Sequence, residues 1–278
     1  MSKRIVVGLD PSAYCQAATK AACERAKFYD GTVIGVAVID LPGIERAEGG
    51  SGVGAAHHAK QARDYHLVKS REQSVVLQEQ FAKIAKKVGV AYEVVERTGK
   101  PAEVLKEESF SADLLMIGTR TFFSYETRDD PGDTLEVLLH ARVCPVLAIP
   151  EHLASPLGVI FPYDGSVAAA RAMRMFNYQT GLLPMAKDIV LLNINDEPDV
   201  AGALLEKPAK YLRAYGHEVR TVVEVGAPKN AVLKFVKENA PAIVVLGAST
   251  KGRLSELVFG GVTHSLLDDG TIPLFVST

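Results

Sequence analysis

Residues 5–12 read Ile-Val-Val-Gly-Leu-Asp-Pro-Ser, and residues 159–166 read Val-Ile-Phe-Pro-Tyr-Asp-Gly-Ser. Each stretch is a mostly apolar run that ends in an aspartate, Asp10 or Asp164, with a serine two positions later. A continuous apolar run of this length is typical of a strand buried on both faces of a parallel sheet. The two stretches therefore predict two copies of one unit, each opening with a buried strand.

Other segments of the first half recur in the second half in the same order. The Gly-x-Pro turn at residues 99–101 returns at 226–228, and the apolar segment 112–118, which ends in glycine, returns at 242–247. Repeats that keep their order along the chain indicate a tandem duplication. We therefore expect two domains of the same fold.

The spacing between the copies locates one length difference. Asp10 and Asp164 are 154 residues apart, whereas Pro101 and Pro228 are 127 residues apart. The first copy therefore holds 27 more residues than the second before its Gly-x-Pro turn. An insert of this size lies between the second strand and that turn.

The duplication predicts domains at residues 1–150 and 151–278, in which strands alternate with helices. This alternation is typical of an α/β fold, here two tandem doubly wound domains with five-stranded parallel sheets. The predicted strands are Arg4–Leu9, Thr32–Ile39 and residues 91–96, 114–117 and 143–149 in the first copy, and residues 158–163, 188–194, 218–223, 243–246 and 273–276 in the second. The first copy also contains helices at residues 101–109 and 134–140, and an amphipathic helix with apolar residues at 77, 81, 84 and 88.

The insert of the first copy, residues 41–62, is rich in glycine, alanine and charge. Its length and glycine content predict a mobile loop. His57 and His58 lie in it and His66 follows, but no carboxylate or cysteine completes a metal-ligand set at the usual spacing. We expect solvated histidines and no metal site.

The composition excludes several classes of protein. The 278 residues include 31 Lys and Arg against 33 Asp and Glu, a net charge of -2, so the chain lacks the basic surplus of a nucleic-acid-binding protein. No apolar run approaches the roughly 20 residues needed to cross a bilayer. The N-terminus enters a predicted strand at once, which leaves no room for a signal peptide.

An odd count of three cysteines without CxxC spacing favours the reducing cytoplasm. Cys15 and Cys23 are expected to be core thiols rather than a redox pair.

Ligands of open α/β sheets bind at the carboxyl ends of the strands, where the strand order reverses. Asp10 and Asp164 follow the first strand of each copy; each is either a turn or N-cap residue or a ligand contact, and both alternatives remain open. Gly118 and Gly247 end the fourth strands. Glycines that open the next helix allow a phosphate to approach its free N–H groups.

The chain resembles the universal stress protein family in its tandem form. The resemblance rests on these aspartates, the Gly-x-Pro turns, the strand-four glycines and the prolines before the last strand. The resemblance covers nearly the whole sequence and implies an adenine-nucleotide alpha-hydrolase-like fold with flavodoxin- or Rossmann-like layers. It also implies a phosphate loop Gly-x2-Gly-x9-Gly-(Ser/Thr) in ATP-binding members. There, the aspartate after strand one contacts the adenosine and the backbone of strand two holds the adenine.

Carried over to the second copy, the resemblance implies a partly retained nucleotide site for ATP or AMP. The spacing of the phosphate loop is kept, but a threonine replaces its second glycine and a glycine replaces its final Ser/Thr. One hydroxyl donor is thereby lost. The expected nucleotide-binding residues are Asp164, Ile194, Gly247, Thr250, Gly260, Gly261 and Val262.

The equivalent site of the first copy departs further from the family's phosphate loop. It consists of Asp10, Gly118, Thr121, Gly132 and Asp133, with one extra residue in the loop and an acid where a phosphate would sit. A carboxylate about 4 Å from a phosphate charge costs about 4 kcal/mol at an effective dielectric constant near 20. A helix N-terminus stabilises a nearby anion by only about 0.3–2 kcal/mol, which is less than this repulsion. The first copy is therefore expected not to hold a triphosphate.

Three functions remain open. The first is a non-catalytic stress-response protein that senses an adenine nucleotide through its second domain. The second is a scaffold that binds an unidentified protein and no nucleotide, and the third is a weak nucleotide hydrolase. No catalytic set emerges, and the chain lacks a Walker A loop and other signatures of nucleotide-handling enzymes.

The chain is also expected to pair with itself. The last strands of the two copies should form a pseudo-twofold pair, since an apolar edge strand left uncovered invites aggregation. A further twofold contact between outer helices would make a homodimer.

Overall fold

The computed structural model describes residues 2–47, 55–123, 134–154, 158–180, 188–248 and 261–277. The chain divides into two compact units, an N-terminal unit Ser2–Val143 and a C-terminal unit Cys144–Thr278. The last strand of the first sequence copy thus belongs to the C-terminal unit. The domain limits at residues 150 and 151 concern the sequence repeat, and they stay a prediction.

The N-terminal unit is a parallel sheet with helices between its strands. Its described elements are β1 (Arg4–Leu9), α1 (Ala13–Phe28), β2 (Thr32–Ile39), α2 (Leu41–Ala47), α3 (Ala55–Val88), β3 (Ala91–Thr98), α4 (Pro101–Glu108), a 3-10 turn (Ser109–Ser111), β4 (Leu114–Gly118) and α5 (Thr134–Ala141). The strand order is β3-β2-β1-β4, with parallel pairing throughout. The order reverses direction between β1 and β4.

The C-terminal unit repeats this arrangement. Its described elements are β5 (Val146–Ile149), β6 (Gly158–Pro162), α6 (Val167–Thr180), β7 (Ile189–Ile194), α7 (Pro198–Arg213), β8 (Val219–Glu224), α8 (Pro228–Glu238), β9 (Ala242–Gly247), α9 (Gly261–Asp269) and β10 (Leu274–Ser277). The order is β5-β10-β9-β6-β7-β8. Its β8-β7-β6-β9 part matches β3-β2-β1-β4, so the predicted doubly wound α/β fold is confirmed.

The last strands of the two copies pair as predicted. β5 and β10 run antiparallel, with Leu147 opposite Phe275, whereas the other strand pairs of this unit are parallel. Both strands are buried over their whole length. The pairing therefore covers an apolar edge of β10 that would otherwise expose unpaired backbone groups.

Burial follows the position of each strand in the sheet. β1 and β2 are buried along almost all of their residues, as their continuous apolar runs predict. The edge strands β3 and β8 are largely exposed and carry charged side chains, which discourages pairing with another chain. Helix α3 packs on the sheet through Phe81, whose ring lies against Gly35 and meets Tyr92 edge to face at 5.9 Å.

The expectation of a mobile loop at residues 41–62 is wrong for most of that segment. Residues 41–47 form α2, and α3 begins at Ala55. Residues 48–54 lie outside the described residues. Asp40 starts α2 because its Oδ1 accepts a hydrogen bond from Gly43 N at 2.9 Å, as an N-cap aspartate does. The start of α3 is rich in alanine, the strongest helix former. The prediction gave the glycines between these helices too much weight.

No helix in the described part of the chain combines the length and the hydropathy needed to cross a membrane.

Candidate functional site

The same turn follows β1 and β6. Asp10 Oδ1 accepts a hydrogen bond from Ser12 N at 2.7 Å, and Asp164 Oδ1 accepts one from Ser166 N at 2.9 Å. Each serine then caps the next helix, because Ser12 Oγ accepts from Cys15 N and Ser166 Oγ accepts from the amide three positions on. The turn role of both aspartates is thereby established.

The two aspartates differ in exposure. Asp10 is only 1% exposed, and its Oδ2 accepts a second hydrogen bond from Phe122 N at 3.3 Å. Burial raises the pKa of the Asp10 carboxyl group above its ordinary value, against the opposing effect of these hydrogen bonds. Asp164 is exposed. Of the two carboxylates, only that of Asp164 is open to a ligand from solvent.

The glycines that end β4 and β9 are required by packing. A Cβ at Gly118 would lie 2.6 Å from Tyr14 Cβ. A Cβ at Gly247 would overlap the carbonyl group of Ala168 and lie 2.7 Å from Ala169 N. Tyr14 and Ala168 are equivalent, since each stands four residues after its aspartate. The first turn of α1 or α6 therefore rests directly on the strand-end glycine, whether or not a ligand is present.

A neighbouring amide fixes the backbone just before Asp164. Asn193, near the end of β7, is buried, and its Nδ2 donates a hydrogen bond to Tyr163 O at 2.7 Å. Ile194, the residue expected to hold an adenine, ends the same strand and is partly exposed. The carboxyl ends of β6 and β7 are thus joined by a side chain next to the exposed aspartate.

Gly261 is the first residue of α9. Among the described residues, a Cβ at this position would meet only Lys229 Cδ, at 3.9 Å. The first N–H groups of a helix have no partners within the helix, so they form a binding site for anions. Val262 follows in the first turn of α9, while Thr250 and Gly260 lie outside the described residues. The structure thus describes five of the seven expected nucleotide-binding residues.

Sequence reasoning missed Lys229. This exposed residue is the second residue of α8, directly after Pro228 of the Gly-x-Pro turn. The equivalent residue after Pro101 is Ala102. Comparing the two turns position by position would have shown that the C-terminal unit gains a cation where the N-terminal unit has a methyl group.

In the N-terminal unit, Gly132 and Asp133 lie outside the described residues. The charge repulsion expected at Asp133 therefore stays a prediction. Thr121 is described and is 2% exposed. The segment that contains it turns inward toward Asp10, through the Phe122 amide.

The remaining histidines and cysteines take ordinary positions. Within the described residues, no three His, Cys, Asp or Glu side chains are grouped closely enough to hold a metal ion. The side chains of His57 and His58 lie outside the described residues, and the His66 ring packs against Tyr65 at 5.5 Å. Cys15 and Cys23 are buried free thiols, and burial raises their pKa values to about 12 and about 11. Both stay protonated at neutral pH, as expected of core thiols.

Comparisons with known proteins agree on one family. The model of the universal stress protein family matches residues 1–150 and 183–277. Universal stress protein Slr1230 of Synechocystis is 23% identical over 182 residues, which cover 66% of this chain and 63% of the relative. Universal stress protein MJ0577 of Methanocaldococcus jannaschii is 26% identical over 72 residues, or 44% of its length. The match thus spans less than two thirds of either relative.

Solved structures show the same fold. A universal stress protein from Archaeoglobus fulgidus superposes with a TM-score of 0.69 at 18% identity, over 100% of this chain and 99% of the other. The functionally unknown protein PA1789 from Pseudomonas aeruginosa gives a TM-score of 0.62 at 12% identity, over 99% and 92% of the two chains. These structures share the architecture along the whole chain.

The packing of Gly247 predicts a strong effect on stability. Gly247→Ala should lower the free energy of unfolding by about 1–3 kcal/mol or more, because the new methyl group meets backbone rather than a movable side chain. Gly202→Ala is the matched control. Gly202 lies within α7, and no described atom lies within 4 Å of a Cβ built there, so alanine should raise the free energy of unfolding by about 0.4–1 kcal/mol. Urea unfolding measures both, and a Gly247→Ala protein as stable as the parent would contradict the described packing.

Proposed function

Because the chain belongs to the universal stress protein family, we propose that it is a non-catalytic stress-response protein of the cytoplasm that senses ATP or AMP through its C-terminal unit. The observation that carries this proposal is the N-terminus of α9, where Lys229 is the one described residue that a Cβ at Gly261 would contact. Helices α8 and α9 both begin after strands of the same parallel sheet, as does the turn of Asp164. All three therefore lie at one edge of the sheet, the usual edge for ligands.

The proposed phosphate contacts use charge and free backbone donors. The first N–H groups of α9 point toward an anion, and a helix N-terminus of this kind is worth about 0.3–1 kcal/mol at an exposed site. The exposed Lys229 adds a full positive charge that can reach the same anion. Lysine thus partly compensates for the hydroxyl donor that the family pattern places at position 261.

The proposed nucleoside contacts lie on the other side of the turn. The exposed Asp164 carboxylate accepts hydrogen bonds from the ribose hydroxyl groups, and the backbone at Ile194 pairs with the adenine. The bond between Asn193 and Tyr163 holds both strand ends in place before a ligand arrives. Such preorganisation reduces the ordering cost of binding.

Hydrolysis receives less support than binding. A hydrolase needs a base or a metal placed on the attacking water. Asp164 belongs to the proposed site, but its Oδ1 already accepts a hydrogen bond from the Ser166 amide. The scaffold alternative has no ligand requirement, so nucleotide binding separates it from sensing. Mass spectrometry of ligands that co-purify with the full chain is the first experiment.

Two substitutions test the proposed site. Gly261→Ser should strengthen ATP binding about tenfold, because no described atom blocks the new side chain and the hydroxyl restores a hydrogen bond to a charged group. Asp164→Ala should weaken binding of both ATP and adenosine, since it removes a ribose contact. Calorimetry on the three proteins measures these affinities. Undetectable binding in all of them would reject nucleotide sensing and leave the scaffold function.

Lys229 should act on phosphate alone. We expect Lys229→Ala to weaken ATP binding about tenfold, with a smaller loss at high salt because ions screen exposed charges. Adenosine binding should not change. Lys234→Ala is the matched control, because Lys234 is exposed on the same helix and pairs with Glu238 at 3.9 Å. Equal losses of ATP affinity in the two variants would show that only the net charge of α8 matters.

We also propose a homodimer, held by a contact between outer helices. Light scattering at micromolar concentration should give twice the 29.9 kDa of one chain. A mass near that of one chain would reject the dimer and leave nucleotide sensing untouched.

A further inference from the structure

We propose that the N-terminal unit is closed by its own chain, in which the Phe123 ring and the Phe122 N–H group occupy the strand edge that corresponds to the proposed nucleotide site of the C-terminal unit. The chain then has one nucleotide site instead of two. The identity of the excluded ligand rests on the proposed function of the C-terminal unit. The closure itself rests on contacts within the N-terminal unit.

The Phe123 ring lies on the backbone of β1. A Cβ at Gly8 would be 2.9 Å from Phe123 Cζ and 3.0 Å from Leu105 Cδ1. Phe123 is 4% exposed. The ring is therefore enclosed beside α4, against Gly8 near the end of β1. Gly8 stands two residues before Asp10. Burying an aromatic side chain contributes substantially to stability, so this contact holds the segment in place.

The Phe122 N–H group donates a hydrogen bond to the Asp10 carboxylate. Asp10 Oδ1 accepts from Ser12 N and Oδ2 accepts from Phe122 N, so both carboxylate oxygens are in use and the group is 1% exposed. A ribose hydroxyl would have to displace the Phe122 amide to reach Asp10. At Asp164, the bond from Ser166 N is repeated while the carboxylate remains exposed. The two units thus keep the same turn but differ in access.

The closure leaves the Thr121 hydroxyl buried in an unfavourable environment. The Thr121 side chain is 2% exposed, and its hydroxyl has no hydrogen-bond partner among the described residues. A buried polar group without a partner is unfavourable. The segment is therefore held by Phe123 burial and the Asp10 bond rather than by a complete hydrogen-bond network. Removal of the Phe123 ring should release it.

The two copies diverge in sequence at these positions. Residues 121–123 read Thr-Phe-Phe, and residues 250–252, at the same distance after the strand-end glycine, read Thr-Lys-Gly. At these three positions the second copy has no aromatic residue, and a lysine at position 251 corresponds to Phe122 of the first copy.

Phe123→Ala in the full chain tests the closure, with Phe110→Ala as the matched control. Phe110 belongs to the same unit but is 66% exposed. Calorimetry with adenosine, which carries no phosphate charge, should give one site in the parent and control proteins and two in Phe123→Ala. Adding Asp10→Ala to Phe123→Ala should remove the second site. A parent protein that binds two adenosines, or a folded Phe123→Ala protein that gains no site, overturns the proposal.

Hydrogen exchange gives a readout that needs no ligand. The Phe122 amide of the parent protein should exchange at least tenfold more slowly than an unprotected peptide, and Phe123→Ala should remove this protection while Phe110→Ala keeps it. If Phe123→Ala does not fold, the parent measurement decides, since an unprotected Phe122 amide rules the closure out. A parent that binds no nucleotide at all rejects the function proposed for the C-terminal unit. The gain of one adenosine in Phe123→Ala would still support the closure.

Discussion

The contact between a strand-end glycine and the first turn of the helix after the aspartate determines the rest of this structure. Gly118 supports Tyr14 in one unit, and Gly247 supports Ala168 in the other, at equivalent positions. Because any side chain would collide there, the helix can begin close above the sheet, directly after the Asp-Ser turn. The carboxyl edge of each sheet thus has a fixed shape at the point where the strand order reverses.

This constraint explains how two copies keep one architecture and differ in use. Asp10 and Asp164 make the same bond to the serine amide two residues on. The turn needs only one carboxylate oxygen, so the second is available for another contact. In the N-terminal unit, that contact is Phe122 of the same chain, and burial raises the pKa of Asp10. In the C-terminal unit, the aspartate is exposed to solvent.

The sequence predicted the elements whose signals are local. Continuous apolar runs predicted the central strands, with β1 and β2 at their observed limits, and the proline of the first Gly-x-Pro turn predicted the start of α4. The insert was predicted poorly because its glycines were taken as evidence for a loop. The alanines and the capping aspartate beside them, which favour helices, were given too little weight. The Asp-x-Ser turn and its cap lie within a few residues of each other, yet the sequence left open whether each aspartate is a turn residue or a ligand contact.

The sequence could not predict contacts between residues far apart along the chain. Phe123 and Gly8 are separated by more than a hundred positions, and Lys229 meets Gly261 only through the packing of α8 beside α9. No periodicity or motif indicates either contact. Comparison of the copies would have marked both places, because Ala102 and Lys229 differ at one of them and Phe123 and Gly252 at the other.

The packing role of the glycines also limits what the family motif says about ligands. A glycine at the end of β4 or β9 is required whether or not a phosphate ever binds, so its presence is weak support for a nucleotide. What separates the two edges is whether the aspartate is exposed and which side chains surround the helix N-terminus. By that criterion, the N-terminal unit, in which Asp10 is buried and bonded to the Phe122 amide, uses its strand edge to stabilise its own fold. In the C-terminal unit, Asp164 is exposed and Lys229 lies near Gly261, and the proposed anion contact rests on this difference between the two units.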